Sequence, residues 1–334
     1  MVRRIRVPDL LNQLALAENR GIALSGDPTT RGQLKLCRSW GFRIQARDGR
    51  LYLPFDSDTL VPAWIENETP RICWDPIVVA GFLETCSTND EALRLAREGA
   101  AGGFVVYAER QTEGRGRMAR RWVSPRGEGL YFSALVRPTQ PVNRWPLLTL
   151  AAGAALAHAV NELSVMEGFP RSIKVELKWP NDLIVSGKKA AGILLETAGG
   201  RGPLAAAVVG VGINVGHGGI HEDLPEQATA LSLEAGTSVP RRRLLVSFLC
   251  SFQKMLLLFE QGRHGEVLAQ WKSYSTMWDG VPVLVVEGDR SRPAVTCGIS
   301  DMGALKIRAG DGGEETLLAA DVSVRPMSRG GMEK

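Results

Sequence analysis

The stretch QTEGRGRMARRWVSPRGEGLYFS, residues 111–133, joins a loop rich in arginine and glycine to the start of a strand. From Arg110 to Arg126 the chain carries six arginines and one glutamate, interleaved with glycines. Glycine lets a backbone approach a ligand closely, and guanidinium groups match carboxylate and phosphate oxygens in pairs. Arginine runs alone are equally typical of a solvated loop or a nucleic-acid contact. Because LYFSALV (130–136) follows with aromatic and branched residues, we predict a loop anchored on a sheet that closes over a polyanion.

The composition is that of a soluble globular protein with two or three domains. The chain has 334 residues, of which 44% are hydrophobic and 23% charged, and its net charge of +4 is too small to indicate nucleic-acid binding alone. Five scattered cysteines and four histidines show no disulfide or zinc pattern, so the identity of any metal stays unknown. The most apolar stretch, 147–160, is too short to span a bilayer. Since no signal peptide is recognisable, we expect a cytoplasmic protein without a membrane segment.

The first 75 residues resemble a winged helix in outline. We predict a helix over 8–18 with Asp9 as its cap, a second short helix over 33–40, and a hairpin over 42–54. The segment 57–75 is rich in proline and acidic residues, which indicates a linker.

A DNA-reading helix-turn-helix needs a recognition helix and a positioning helix before it. The chain between the first helix and Trp40 has room for barely one more helix, and we expect GDPTTRG (26–32) to break the middle. We therefore interpret this part as a reduced wing domain for which DNA binding is doubtful.

Strands and helices alternate through the middle of the chain. The apolar patterns predict strands over 77–84, 103–109, 174–197 with two turns, and 204–215, and helices over 91–100, 145–163 and 244–259. The tail, 279–325, alternates around Gly-Asp turns and predicts a small β-barrel. Three arginines, 241–243, precede the last helix, where the helix dipole disfavours positive charge, so we expect them at the surface, in a role that the sequence does not disclose.

Four spaced motifs resemble one protein family. Ser87-Thr88-Asn89 comes first, the loop GRGRxxRxWxSPxGxGLYFS second, KWPNDLIVSGKKAAGIL (178–194) third and GVGINV (210–215) fourth. In this order they resemble the biotin protein ligases, also called biotin–[acetyl-CoA-carboxylase] ligases. The resemblance implies an α+β, class II synthetase-like catalytic domain, a central mixed sheet with flanking helices, a C-terminal SH3-like β-barrel and an N-terminal reduced winged-helix-like domain. The expected borders are 1–75, 76–274 and 275–334.

The resemblance also implies a reaction. Biotin and ATP, with Mg²⁺, would give biotinyl-5′-AMP, and a lysine of a biotin carboxyl carrier protein of acetyl-CoA carboxylase would then take the biotin. The alternatives are a lipoate or octanoyl protein ligase of the same fold, which uses a different loop, and a bifunctional ligase and DNA-binding biotin operon repressor. Edge-to-edge homodimers occur in the family, and a homodimer is an allowed assembly here.

By the same resemblance, two sets of residues bind the substrates. The biotin set is Ser87, Thr88, Asn89, Gln111, Gly114, Arg115, Gly116, Arg117, Lys189 and Gly192. The nucleotide set is Arg120, Trp122, Lys178, Asn181 and Asn214. The residues at the start of the 91–100 helix are also ordinary helix caps, and Asn after proline is also an ordinary turn residue.

Three residues are assigned to catalysis. Arg117 is expected between the biotin carboxylate and the phosphate, and Lys189, on a strand after a tight turn, is expected to contact the carboxylate and then the acyl phosphate. Asp182 either orients or deprotonates the acceptor amine or holds magnesium. Trp122 either covers the adenine or packs as a hinge.

Overall fold

The structure is a computed structural model that describes residues 4–56, 58–199, 205–216, 228–287, 290–310, 312–318 and 323–326. Its N-terminal part contains two helices and a hairpin, as predicted. In chain order its elements are β1 (Ile5–Arg6), α1 (Asp9–Ala17), β2 (Ile22–Ala23), α2 (Pro28–Ser39), β3 (Gln45–Arg47) and β4 (Arg50–Tyr52). The hairpin turns at Asp48 and Gly49, both at positive φ, and β2 adds to it as a third strand.

Two local expectations for this part are wrong. The GDPTTRG segment begins α2 rather than breaking a helix, because the Asp27 carboxylate accepts a hydrogen bond from the Thr30 N–H at 2.8 Å. Pro28 follows in the first turn, where a missing N–H costs nothing. Asp9 is the first residue of α1 and does not cap it; Pro8 precedes the helix. Between β2 and α2 the described chain holds no further helix, which agrees with a reduced domain.

The prediction of a linker over 57–75 is wrong for the middle of that segment. It contains α3 (Pro62–Glu68), in which Trp64 and Ile65 are buried. The Arg242 guanidinium lies over the adjacent rings of Phe55 and Trp64, at 4.4 and 4.5 Å from their centroids. Four consecutive buried residues of the helix thus pack on the protein, although proline and acidic side chains dominate the composition of the segment.

The middle of the chain is built on one large mixed sheet. Its elements are β5 (Val78–Glu84), α4 (Thr88–Arg97), β6 (Phe104–Ala108), β7 (Gly129–Val136), α5 (Leu147–Met166), β8 (Val175–Lys178), β9 (Asp182–Val185), β10 (Lys188–Ala198), β11 (Ala206–Asn214), α6 (Leu231–Ala235), α7 (Arg241–Glu260) and α8 (His264–Tyr274). In the described residues the sheet has eight strands in the order β1-β5-β6-β7-β11-β10-β9-β8, and the β5–β6 pair is parallel. The N-terminal β1 therefore forms one edge of this large sheet.

Helices cover both faces of this sheet. Alternate strand residues point to opposite faces, so Phe132 and Val209 join the core beneath α5 and α7, whereas Leu135 and Val208 join a smaller core beneath α4. Within the described residues, α5 is the one helix long and apolar enough to cross a membrane, and 67% of its apolar window is buried inside the protein. It is the buried core helix that the sequence predicted.

A five-stranded antiparallel sheet forms the C-terminal part of the described chain. Its strands are β12 (Asp279–Glu287), β13 (Arg290–Ile299), β14 (Leu305–Ala309), β15 (Glu314–Leu317) and β16 (Ser323–Pro326), in the order β15-β14-β13-β12-β16. The Trp179 indole N–H donates to the Gly303 carbonyl at 3.0 Å and so joins this sheet to the turn after β8. The expected small β fold is confirmed.

The surface role assigned to residues 241–243 is wrong for two of the three. Arg241 is buried at the start of α7 and pairs with Glu109 at 2.7 Å and Asp58 at 3.0 Å. Burial alone would lower the pKa of Arg241, but Glu109 and Asp58 raise it. Arg242 is also buried, and Arg243 alone stays partly exposed, paired with Glu167. A desolvated charge needs such partners, so these arginines fasten α7 to the N-terminal part.

Candidate active site

A cavity of about 980 Å³ opens on the α4 side of the sheet. Glycines 192, 210 and 212 on β10 and β11 lie on its floor, and the arginine-rich loop lies above them. Thr276, Met277 and Val281 line it from the start of the C-terminal part. A cavity of this size accommodates a ligand larger than one small acid.

The structure brings almost all the predicted site residues to this one cavity. The predicted residues that line it are Ser87, Thr88, Asn89, Gln111, Arg115, Gly116, Arg117, Arg120, Trp122, Lys178, Asn181, Asp182, Lys189, Gly192 and Asn214. Among the predicted site residues, all within the described chain, Gly114 alone is not part of its lining. A Cβ at Gly114 would lie 2.5 Å from the Trp122 carbonyl oxygen, so this glycine lets the two arms of the loop close on each other.

We call residues 111–126 the flap. Isolated bridges join Gln111 to Ser124 and Arg115 to Arg121, so the flap is a narrow excursion from the sheet. At its tip, Met118 and Ala119 have φ values of 55° and 54°, a region in which non-glycine residues are strained. The backbone strain of the flap is therefore concentrated at its tip.

A chain of hydrogen bonds links the flap to the N-terminus of α4. The Gln111 side-chain oxygen accepts from the Thr88 N–H at 2.8 Å, and its amide nitrogen donates to the Ser124 hydroxyl at 2.9 Å. The buried Ser133 hydroxyl lies 2.8 Å from that of Thr88 and 2.6 Å from the Asn89 side-chain oxygen. Ser87 occupies the N-cap position of α4, but among the described residues its side chain makes no capping hydrogen bond. These fixed polar groups suit a neutral, buried ligand group that both donates and accepts.

Opposite charges meet at the turn between β8 and β9. The Lys189 ammonium lies 2.6 Å from the Asp182 carboxylate, and the Arg117 guanidinium donates to the Asn181 side-chain oxygen at 3.1 Å. The Asn181 amide in turn donates to the Ile193 carbonyl at 2.8 Å, which ties the turn to β10. Burial lowers the pKa of the Arg117 guanidinium, and Asp182 partly offsets this effect. A cation from the flap and a cation from the sheet thus reach the same point.

Trp122 lies flat against the floor of the cavity. A Cβ at Gly212 would lie 2.5 Å from its indole nitrogen, and one at Gly192 would lie 3.2 Å from its ring. The Lys189 ammonium is 5.5 Å from the ring centroid, within the range of a cation–π contact. In this state the tryptophan packs on β10 and β11 and occupies the space above their glycines.

Two further predicted residues approach the cavity from its sides. Lys178 pairs in the backbone ladder with Asp182, so the two strands hold both on the same turn. The Asn214 amide donates to the Thr229 carbonyl at 3.1 Å, which fixes residues 228–230 beside β11.

Known proteins resemble the chain over most of its length. The family model described as "Biotin/lipoate A/B protein ligase family" matches residues 84–214. The bifunctional ligase/repressor BirA of Salmonella typhimurium is 34% identical over 293 residues, which is 87% of each chain. The biotin--[acetyl-CoA-carboxylase] ligase of Paracoccus denitrificans is 31% identical over 241 residues, 71% of this chain and 97% of the relative. The chain belongs to the biotin protein ligases.

A solved biotin protein ligase shares the fold. The enzyme from Aquifex aeolicus in complex with biotin and ATP matches with a TM-score of 0.62 and 29% identity, over 75% of this chain and 99% of that chain. The family predicted from the four motifs is confirmed, as are the enzyme class and the fold class.

Sequence reasoning missed several residues of this biotin protein ligase. Asp90 and Glu196 bind Arg115, and Ser124 and Ser133 bind the polar side chains around Gln111 and Thr88. Asp90 directly follows the Ser-Thr-Asn motif and Ser133 ends the quoted loop motif, so proximity to a motif was an available signal for both. Glu196 lies two residues beyond the 178–194 motif, but only the pairing of strands brings it near α4.

This biotin protein ligase shows no ready-made metal cage in its described residues. Three or more His, Cys, Asp or Glu side chains do not converge at any point there. Mg²⁺ that acts on nucleotides usually keeps several waters and takes one or two carboxylates plus the phosphates. Asp182, in the cavity, is the kind of single carboxylate that fits such an arrangement.

Proposed function

We propose that this chain joins biotin to ATP, forms biotinyl-5′-AMP, and transfers the biotin to a lysine of the biotin carboxyl carrier protein of acetyl-CoA carboxylase. The observation that carries the proposal is the convergence of Arg117 and Lys189 on the turn at Asn181 and Asp182. An anion that attacks a polyphosphate needs preorganised positive charge, and here a movable flap and a rigid strand both supply it. The relatives named as biotin ligases support the same reaction.

In the first step, an oxygen of the biotin carboxylate attacks the α-phosphorus of ATP. The bond from that phosphorus to the bridging oxygen breaks, and pyrophosphate leaves. Lys189 and Arg117 bind the carboxylate and the α-phosphate, so that their repulsion falls as they approach. Arg120 binds the other phosphates. The Lys189 ammonium is 2.6 Å from the Asp182 carboxylate. The incoming biotin carboxylate replaces Asp182 as the partner of that ammonium, and Asp182 is then released from the ion pair.

In the second step, the amine of the carrier lysine attacks the acyl carbon of the adenylate. A carbon–nitrogen bond forms, the bond from the acyl carbon to the phosphate oxygen breaks, and AMP leaves. The released Asp182 accepts the proton that the amine loses. This assigns Asp182 to the acceptor amine, and the partial burial of its side chain, 19% exposed, favours a direct proton transfer.

Biotin lies with its ureido ring against Thr88, Asn89 and Gln111, which already form a fixed polar wall. Ser87 contributes its hydroxyl, and Gly116 and Gly192 allow close approach of the backbone. Trp122 leaves the floor when biotin enters and then covers the adenine, because the ligand and the indole compete for the space above Gly192.

The nucleotide lies over Lys178, Asn181 and Asn214, and Mg²⁺ arrives with ATP as part of that substrate. We propose a cytoplasmic location, where ATP and the carrier protein are both present. A homodimer is compatible with this function but is not needed for it, since one chain supplies every residue named above.

We propose that the N-terminal part does not read a DNA sequence, although some relatives are named repressors. Between β2 and the hairpin the described chain has a single helix, α2, and β2 separates it from α1, so no positioning helix directly precedes α2. Arg31, Lys35 and Arg38 lie exposed on α2 and favour only weak, salt-dependent binding. A gel shift with promoter DNA of the organism's own biotin genes tests this point, and sequence-selective binding would contradict it.

One assay tests the ligase function. Labelled biotin, ATP and magnesium are given to the purified chain with an apo carrier domain, and lipoate serves as the competing acid. We expect pyrophosphate release and labelling of the carrier when biotin is the acid, and neither when lipoate is the acid. Labelling that lipoate abolishes would favour the lipoate ligase alternative, and a sample that activates neither acid would refute the proposal.

A further inference from the structure

The guanidinium of Arg115, on the flap, pairs with two carboxylates that are not part of the cavity lining. Arg115 contacts both oxygens of Asp90, at 2.8 and 2.5 Å, and both oxygens of Glu196, at 3.2 and 3.1 Å. Asp90 lies in the first turn of α4 and Glu196 lies on β10. Arg115 therefore bridges a helix and a strand that belong to the rigid part of the protein.

Glu196 has a second contact inside the biotin wall. Its carboxylate accepts a hydrogen bond from the Asn89 amide nitrogen at 2.6 Å. Asn89 is 4% exposed and lies against Gly210, where a Cβ would be 2.0 Å from its side-chain oxygen. Glu196 thus connects the flap and the ureido wall through one carboxylate.

The protons available to these side chains fix which group donates and which accepts in each hydrogen bond. A carboxylate only accepts, so Asn89 turns its NH₂ to Glu196 and its oxygen to Ser133. A carbonyl oxygen also only accepts, so Ser133 gives its one proton to Asn89. The one proton of the Thr88 hydroxyl then goes to the Ser133 hydroxyl at 2.8 Å or to the Gln111 side-chain oxygen at 3.1 Å. The Thr88 oxygen is left as an acceptor, which is the polarity that a urea N–H requires.

We propose that Glu196 is a positioning residue that fastens the flap through Arg115 and orients Asn89 for biotin. Arg115 thereby acts as the anchor of the flap, while Arg117 and Arg120 act on the ligands. Asp90 and Glu196 would repel each other without the guanidinium between them, so opening of the flap at Arg115 also weakens the biotin wall. The inference rests on the proposed ligase function and deepens its site.

A double-mutant cycle tests the inference on the full chain. Glu196→Gln keeps the shape and an acceptor for Asn89 but removes the charge that holds Arg115. We expect Glu196→Gln and Arg115→Ala each to weaken biotin binding by about fivefold in calorimetry, the upper end of what a partly exposed ion pair contributes. The double variant is expected to bind like the weaker single variant, because both changes break one contact.

Further readouts separate positioning from simple loss of structure. We expect the KM for biotin to rise in Glu196→Gln while transfer from preformed biotinyl-5′-AMP keeps its kcat, and Arg115→Lys to recover part of the affinity. The matched control is the Arg94–Glu98 pair on the same helix, 2.7 Å apart and away from the cavity. Glu98→Gln is expected to bind biotin like the unchanged chain, and thermal unfolding of every variant checks its fold.

The outcomes are distinct. A Glu196→Gln variant that binds biotin within twofold of the unchanged chain, or fully additive losses in the double variant, would overturn the role of Glu196. An unchanged chain that binds no biotin at all would instead refute the proposed ligase function.

Discussion

At the scale of single residues, the chemistry depends on where one ammonium group is held. Lys189 is the second residue of β10, which follows the turn at Ser186 and Gly187, both at positive φ, so the strand holds its backbone in place. Its neighbour Lys188 is exposed and points away from the cavity lining. Adjacent lysines of the same strand therefore have different expected effects on the reaction.

Lys189→Ala is expected to slow adenylate formation by about a hundredfold or more, because a preorganised charge at the reacting phosphate is lost. Pyrophosphate release with biotin and ATP measures this rate. Lys188→Ala is the matched control and is expected to keep the rate. Since Lys189 is 37% exposed, the unfolding midpoint of the variant is expected to change little. Unchanged pyrophosphate release would remove Lys189 from the mechanism.

Asp182→Asn is expected to separate the two steps. The amide cannot take the proton of the acceptor amine, so transfer to the carrier is expected to fall by about 10²- to 10⁴-fold. Formation of the adenylate is expected to fall much less, since Lys189 and Arg117 remain. Single-turnover assays of each step measure both. If adenylation collapses and extra magnesium restores it, Asp182 serves the metal rather than the amine.

Gly212→Ala and Gly192→Ala test the position of Trp122. A methyl group at Gly212 would meet the indole nitrogen at 2.5 Å, whereas one at Gly192 would lie 3.2 Å from the ring. We expect the first change to displace Trp122 and shift its fluorescence in the empty protein, and the second to have the smaller effect. Equal spectra for Gly212→Ala and the unchanged chain would show that Trp122 does not rest on β11.

At the scale of elements, the flap combines a fixed base with a strained tip. Its base is held by Gln111, Ser124 and Arg115, and its tip carries Met118 and Ala119 at positive φ. The acyl-adenylate is hydrolysed if water reaches it, and closure of a loop that excludes water protects it.

Trypsin is expected to cut the flap at Arg117, Arg120 or Arg121 when the protein is empty. Biotin with ATP is expected to suppress these cuts, because the cations then bind the ligands and the segment is ordered. Peptide mapping over time measures the effect, and cleavage within the exposed hairpin at Arg47 is an internal control. Equal flap cleavage with and without ligands would contradict the role of a lid.

At the scale of the whole molecule, α7 joins the N-terminal part to the catalytic sheet through buried arginines. Arg241 pairs with Glu109 and Asp58, and Arg242 pairs with Glu68 at 3.2 Å and lies over two aromatic rings. Breaking a buried pair leaves a desolvated charge behind. Stability of the assembly therefore depends on side chains far from the cavity.

Arg242→Ala is expected to lower the free energy of unfolding by about 3 kcal/mol, the cost of breaking a buried ion pair. Arg243→Ala, a partly exposed neighbour in the same turn, is expected to cost about 1 kcal/mol or less. Urea unfolding followed by tryptophan fluorescence measures both. Equal losses for the two variants would mean that burial of Arg242 contributes nothing to stability.

The sequence by itself determined the local elements and the family. The hairpin at Asp48 and Gly49, the tight turn before Lys189 and the core helix α5 follow from turn chemistry and periodicity, which act between near neighbours. Composition is also a local property, which explains why a linker was predicted where α3 lies. The apolar residues of α3 are buried against elements that are distant in the chain.

Only the tertiary structure decided which charges meet. Arg241 lies 132 residues from Glu109 and 183 from Asp58, and Arg115 lies 81 from Glu196. Those pairings depend on the order of strands in the sheet and on the packing of α7, and they are made because a charge removed from water needs a partner. A local sequence pattern cannot specify a partner that is far away in the sequence and comes close only in the folded protein.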